Sequence, residues 1–187
     1  RYGVMHRNTF LNSPKLLTDE EWGHLGTATE KIAKMKLYMD DQGGLTLMQV
    51  RGKAMQIKRK AGGLDLLVVD YLQLMSGPGD NRNAQIEAIT RGLKALAKEL
   101  DCVIALLSQL NRKLEDRPNK RPLPSDLRDS GSIEQDCDIA TFVYQDVVYN
   151  RDSPDAGTAE LINALVRQGA SSTVRTAYIG HLTRFED

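Results

Sequence analysis

Long apolar runs are missing. The longest, Leu64 to Met75, is interrupted by Asp65, Asp70 and Gln73, whereas a bilayer-spanning helix needs about 20 apolar residues. A membrane span is therefore excluded. Net charge is missing as well: Lys plus Arg and Asp plus Glu each total 25, so no global field draws the chain to nucleic acid or anionic lipid. Any such attraction must be local. Cysteine is scarce, and Cys102 and Cys137 lie in or beside apolar segments, which favours small buried thiols over a disulfide. His6, His24 and His181 are isolated and make no metal-ligand spacing with either cysteine, which argues against a structural zinc site. The N-terminus lacks the basic, apolar, small-residue order of a secretory signal. It begins Arg1-Tyr2-Gly3 without an initiator methionine, and the expectation is a chain cut or processed from something longer.

What is present is ordinary globular composition, 41% hydrophobic and 27% charged over 187 residues, which excludes disorder and collagen and suits about one domain. Thr18 with Glu21, followed by Trp22, Leu25, Ile32 and Met35, predicts a capped helix over about 18–36. Leu37-Tyr38-Met39 reads as a short strand. Thr46 with Gln49 repeats the capping pattern and predicts a helix to about Ala61, ended by Gly62-Gly63. Leu64 to Asp70 is short, apolar and bounded by glycine, as expected of a central parallel strand buried on both faces. The stripe Ile86, Ile89, Leu93, Leu96, Ala97 and Leu100 places a helix over about 82–100, and Cys102 to Leu107 supplies another buried strand. Residues 110–125, with Pro118, Pro122 and Pro124, read as a long exposed loop of the kind that carries function. Strand character resumes at Ile139 to Tyr144. Ala159 to Val166 and Thr173 to Ile179 then flank Arg167-Gln168-Gly169-Ala170 as an antiparallel hairpin at the sheet's edge. The alternation predicts an α/β fold with helices against a parallel or mixed sheet.

Ligands of open α/β sheets bind beyond the carboxyl ends of the strands. Apolar strand residues ending in Asp70 form a Walker B pattern, whose carboxylate holds a nucleotide's magnesium ion, usually through water. An aspartate there also serves as a helix cap or turn former. The next strand ends in Ser108-Gln109, and a glutamine amide can donate to a phosphate oxygen and accept from water; equally, it can satisfy loop backbone. Between Arg112 and Arg128 the chain carries Arg112, Lys113, Arg117, Lys120, Arg121 and Arg128 against Glu115, Asp116 and Asp126. That local excess suits nucleic-acid phosphates or simply a solvated loop.

The segments Asp70-Tyr71-Leu72-Gln73-Leu74-Met75, Ser108-Gln109-Leu110-Asn111-Arg112, Lys120-Arg121-Pro122 and Ser125 to Asp136 resemble, in order and spacing, the bacterial replicative DNA helicase family of the DnaB type. The likeness runs from about Leu17 to Phe185, and a phage-encoded member fits as well as a bacterial one. It implies that residues 1–187 form a single partial RecA-like motor domain, from Walker B onward. It further implies that Asp70 coordinates magnesium and that Gln109 senses the γ-phosphate of ATP. Arg128, Asp129, Ser130 and Gly131 would contact single-stranded DNA in the channel of a homo-hexameric ring. Arg167 corresponds to the arginine finger that reaches ATP held by the neighbouring subunit. A primase and a helicase loader are the implied partners, and the location is cytoplasmic.

The chain departs from the family at several positions: Leu165 replaces a lysine two residues before the finger, Ala170 a proline, Gln145 an arginine and Cys137 an alanine. No G-x-x-x-x-G-K-[ST] phosphate loop occurs in the 187 residues. Gly52-Lys53-Ala54 lacks the first glycine and the hydroxyl and falls inside a predicted helix. The family's catalytic glutamate belongs to the same upstream segment. The expectation is an ATP-dependent helicase whose present portion alone is inactive. The alternatives are a non-catalytic DNA-binding or subunit-interaction module, and another RecA-like ATPase such as a recombinase.

Overall fold

A computed structural model describes residues 17–127 and 130–187, for Ser130 the backbone only. The chain divides into two compact units. The described part of the first comprises 17–39, 145–161 and 174–187, and the second comprises 40–144 and 162–173.

In the second unit, helix α2 (Leu47–Ala61; α1 belongs to the first unit) begins at a reciprocal cap. The Thr46 backbone N–H donates to Gln49 Oε1 at 2.8 Å, and the Gln49 N–H donates to Thr46 Oγ1 at 3.3 Å. Two of the donors that a helix start leaves unpaired are thereby satisfied. The helix stops at Gly62, whose φ of 78° is left-handed. Helix α3 (Arg82–Leu100) starts where Asn81 Oδ1 accepts from the Ala84 N–H at 2.9 Å, and buries Ile86, Ile89, Leu93, Leu96 and Leu100 along one stripe. It lies close against α2, since a Cβ on Gly92 would collide with Leu47 Cδ2. Val50 and Ala54 of α2 and Phe142 join the same core.

Strands β1 (Leu66–Val69) and β2 (Val103–Leu106) pair in parallel, Leu66 opposite Val103 through Val69 opposite Leu106, with α3 as the crossover. Helix α4 (Ser130–Asp136) packs on α3, where the buried Thr90 hydroxyl donates to Asp136 Oδ2 at 2.6 Å. Strand β3 (Ile139–Tyr144) lies beside β4 (Thr158–Val166), whose neighbour β5 (Ser172–Ile179) follows through a tight turn. The later residues of β4 and the first of β5 belong to this unit, the remainder to the other. Asp138, just before β3, has its carboxyl held below the usual range chiefly by a hydrogen bond from the Lys94 ammonium.

In the first unit, α1 (Asp19–Ala33) opens on the box between Thr18 and Glu21. Strand β6 (Arg184–Glu186) pairs antiparallel with β5, which sets Tyr178 opposite Phe185 with ring centroids 5.0 Å apart. The Tyr178 N–H donates to the Gly157 carbonyl at 2.8 Å.

Four expectations need correction. Leu37-Tyr38-Met39 forms no strand: Met39 is 86% exposed, and an extended run gains stability only from a partner ladder. Helix α1 forms, but its stripe is not covered among the described residues: α1 buries none, and Trp22 and Ile32 stay exposed. Strand β1 is neither central nor buried on both faces among the described residues. It pairs with β2 alone, and Leu66, Val68 and Val103 are 52%, 54% and 65% exposed. One face meets the helices, and along the β2 edge an open groove of about 790 Å³ lies between β2 residues such as Val103 and β3 residues such as Ile139 and Val143, with Leu93 and Ala97 of α3 also lining it. The sheet consequently comes in two parts, and the hairpin extends β3 rather than the β1–β2 pair. Finally, the segment 110–125 is not a free loop. It contains two 3-10 turns, Arg112–Asp116 and Pro124–Asp126, and buries Leu114 and Pro122. Cys102 and Cys137 are free, half-buried thiols whose pKa desolvation pushes up.

Leu96, 2% exposed in the α3 stripe, tests the core. Leu96→Ala is expected to cost about 2–5 kcal/mol of unfolding free energy in a urea titration. A loss below about 1 kcal/mol would mean that the stripe is not the packed centre.

Candidate functional site

The parallel ladder decides where the strand-end polar groups lie. With Val69 opposite Leu106, the chains leave the sheet side by side: the Leu107 N–H donates to the Val69 carbonyl at 3.0 Å and the Leu72 N–H to the Leu107 carbonyl at 2.8 Å. Asp70 and Ser108-Gln109 therefore emerge at one end of the pair, as the sequence reading requires. Asp70 and Gln109 are both exposed, and among the described residues neither side chain has a hydrogen-bond or ion-pair partner. An unpaired carboxylate beside an unpaired amide suits a hydrated divalent cation and a phosphate oxygen. Lys53, the nearest imitation of a phosphate-loop lysine, is mid-helix in α2 and paired with Asp40, so it plays no such part.

Behind these two groups lies a brace that sequence reasoning missed. After β1 the chain turns through a single 3-10 turn, Leu72–Leu74. From that turn the Gln73 side chain donates through Nε2 to Ser108 Oγ at 3.0 Å, and its Oε1 accepts the Gln109 N–H at 3.2 Å. Arg82 fixes the turn from the first residue of α3, donating to the Gln73 carbonyl at 2.9 Å and the Met75 carbonyl at 3.2 Å.

The basic segment begins at the same end. Leu110 and Leu127 form an antiparallel bridge, and the Asn111 N–H donates to the Asp126 carbonyl at 2.7 Å. Arg117 grips the nearly buried Asp126 with both nitrogens, Nη1 to Oδ1 at 3.0 Å and Nη2 to Oδ2 at 2.7 Å, and also donates to the Arg121 carbonyl. Asp126 Oδ2 accepts the Leu123 N–H as well, at 2.8 Å. Such a bidentate charge-assisted pair is directional and strong. Two of the six cations counted from sequence thus serve the loop itself, because Lys120 is also turned inward onto the Glu115 carbonyl. The sequence signal for the clamp was an aspartate amid basic residues, which reads equally as charge dilution.

Of the expected DNA-contacting residues, Arg128 and Asp129 lie outside the described residues, as does the Ser130 side chain; Gly131 is exposed in the first turn of α4. Arg167 sits exposed in the β4–β5 turn. Its backbone N–H donates to the Asp138 carbonyl at 2.9 Å and its guanidinium to the Gln135 carbonyl. It is not folded into a core. Leu165 is half-buried in β4.

An α/β fold with a strand-end carboxylate next to a strand-end amide is the arrangement of the RecA-like class of domain. Residues 5–187 match the model of the DnaB-like helicase C terminal domain, and the chain belongs to that family. It is 49% identical over 174 residues to the replicative DNA helicase DnaB of Pasteurella multocida (strain Pm70), covering 91% of this chain and 37% of that protein. With the namesake from Geobacillus stearothermophilus it shares 42% over 172 residues, 90% of this chain and 38% of the relative. It spans little more than a third of such relatives. A solved DnaB-like replicative helicase, described with its interactions with primase, superposes with a TM-score of 0.92 at 36% identity, covering 99% of this chain and 45% of the other. A second solved structure, an ATPase domain, superposes with a TM-score of 0.93 at 36% identity, covering 100% of this chain and 66% of the other. Family membership sets the recombinase alternative aside.

Asp126→Ala removes three accepted hydrogen bonds at once. The expected cost is about 1.5–3 kcal/mol in denaturant unfolding, and a loss under about 0.5 kcal/mol would show that the clamp is not formed.

Proposed function

We propose that the protein to which this chain belongs is an ATP-driven replicative DNA helicase, moving 5′ to 3′ on single-stranded DNA as a homo-hexamer, and that these 187 residues are one partial motor domain of it. The observation that carries this reading is the adjacency of Asp70 and Gln109 at one strand end, both side chains unpaired, in a chain that matches the helicase family over residues 5–187.

Magnesium-bound ATP supplies the phosphoryl bond whose hydrolysis drives the motion. Asp70 would help hold the magnesium ion, and Gln109 would read the γ-phosphate by donating to it or by orienting a water. Arg167 acts across the subunit boundary. For that it leaves the Gln135 carbonyl, and its guanidinium then stabilises charge spreading over the transferring group. Its exposure in a turn supports this role. Arg128, Asp129, Ser130 and Gly131 would contact the DNA backbone. A primase is a partner by analogy with the solved neighbour named for that interaction, and a helicase loader is a second. The setting is the cytoplasm of a bacterium or of a phage-infected cell.

Without backbone amides and a lysine to cradle the β- and γ-phosphates, positioning and electrostatic stabilisation both fail. The 187-residue chain alone therefore turns over no ATP; magnesium-dependent turnover by it would refute the assignment. In the full-length hexamer, Asp70→Asn is expected to lower ATP turnover at least about 100-fold, and Arg167→Ala about 1,000-fold with ATP binding retained. Normal turnover in the arginine variant would remove it from the site.

Arg128→Ala is expected to weaken single-stranded DNA binding and to lower the salt dependence by about one phosphate contact, leaving nucleotide affinity unchanged. Unchanged DNA affinity at moderate salt would contradict the channel-loop assignment.

A further inference from the structure

We infer that Gln73 is a positioning residue for Gln109: its side-chain amide sets where the sensing glutamine stands relative to Asp70. The inference rests on the reading of Gln109 as the phosphate-sensing group. The strand ladder ends before Gln109. The last main-chain link between the two strand ends is the Leu72 N–H to the Leu107 carbonyl, so nothing in the sheet itself fixes residues 108 and 109. The Gln73 amide spans that gap with both of its ends, donating to Ser108 Oγ at 3.0 Å and accepting from the Gln109 N–H at 3.2 Å. A single side chain thereby orients a backbone N–H and the adjacent hydroxyl.

The base from which Gln73 reaches is itself held. Its own carbonyl and that of Met75 accept from the Arg82 guanidinium, which is anchored at the start of α3 and also donates to Gln85 Oε1 at 3.2 Å. Asp70 enters the same turn three residues before Gln73. The carboxylate and the amide are therefore referenced to one rigid corner, and Gln73 is the strut between them. Among the described residues neither Asp70 nor the Gln109 side chain spends a hydrogen bond on the brace, so both stay available to a ligand. Misplacement by an ångström or less is costly in phosphoryl transfer, where positioning provides most of the catalysis.

The test uses the full-length hexamer and three variants. Gln73→Leu keeps the shape but removes both hydrogen bonds. Gln73→Glu keeps the acceptor for the Gln109 N–H and lets the Ser108 hydroxyl turn and donate. Gln109→Ala reports on the sensor itself. The expected result for Gln73→Leu is kcat for ATP lowered about 10-fold, with KM within about twofold and the melting temperature and hexamer assembly unchanged. Gln73→Glu is expected to restore kcat to within about twofold of the parent. Normal kcat in Gln73→Leu alongside a crippled Gln109→Ala overturns the strut and leaves the sensor standing. A lowered melting temperature in Gln73→Leu without rescue by Gln73→Glu overturns it in favour of a purely structural role. Normal turnover in Gln109→Ala overturns the sensor reading and the strut with it.

Discussion

The pairing of β1 with β2 is the constraint on which the rest depends. Parallel strands need a long crossover, and α3 supplies it while covering one face of the pair with Ile86, Ile89, Leu93 and Leu96. Because the strands run the same way, their carboxyl ends coincide, and Asp70 and Gln109, far apart in the chain, come to the same edge. A one-residue slip would turn every side chain to the opposite face. The buried stripe of α3 thus protects the register as well as the core.

Polar groups at that edge fall into two kinds. Among the described residues Asp70 and the Gln109 side chain are left without partners, whereas Gln73, Arg82, Arg117 and Asp126 spend their hydrogen-bonding capacity on the protein. A reacting site needs both. Exposed groups can meet a ligand, and satisfied ones hold the backbone that presents them. The Arg117–Asp126 clamp and the Leu110–Leu127 bridge give the basic segment a fixed root directly after Gln109, so the strand end and the loop share one foundation.

The uncovered apolar face of β1 and β2 carries its own lesson. Leu66, Val68 and Val103 are as apolar as the residues that face α3, and the alternation of burial along β1 is invisible in its sequence. Composition of this kind records suitability for burial on both sides, while coverage depends on what lies opposite. Met39 and Trp22 make the same point from the first unit: each is apolar, fits a local sequence pattern, and is exposed.

Local chemistry was enough to determine the starts of α1 and α2, the end of α2 and the span of α3, since the Thr18–Glu21 and Thr46–Gln49 caps, the Gly62 stop and the α3 stripe are written within a few residues of where they act. It did not reveal α4, and α1 stops at Ala33 rather than near residue 36. It was enough, too, to single out Asp70 and Gln109 as candidates, because a polar residue closing an apolar strand is a one-dimensional signal. The Gln73 brace joins residues 36 apart and the Arg117–Asp126 clamp closes over a separation of 9. Neither has a periodicity to betray it. Only the tertiary structure decided those contacts, the missing strand at Leu37 to Met39 and the division of the sheet, because hydrogen bonds and burial between distant segments depend on which surfaces meet.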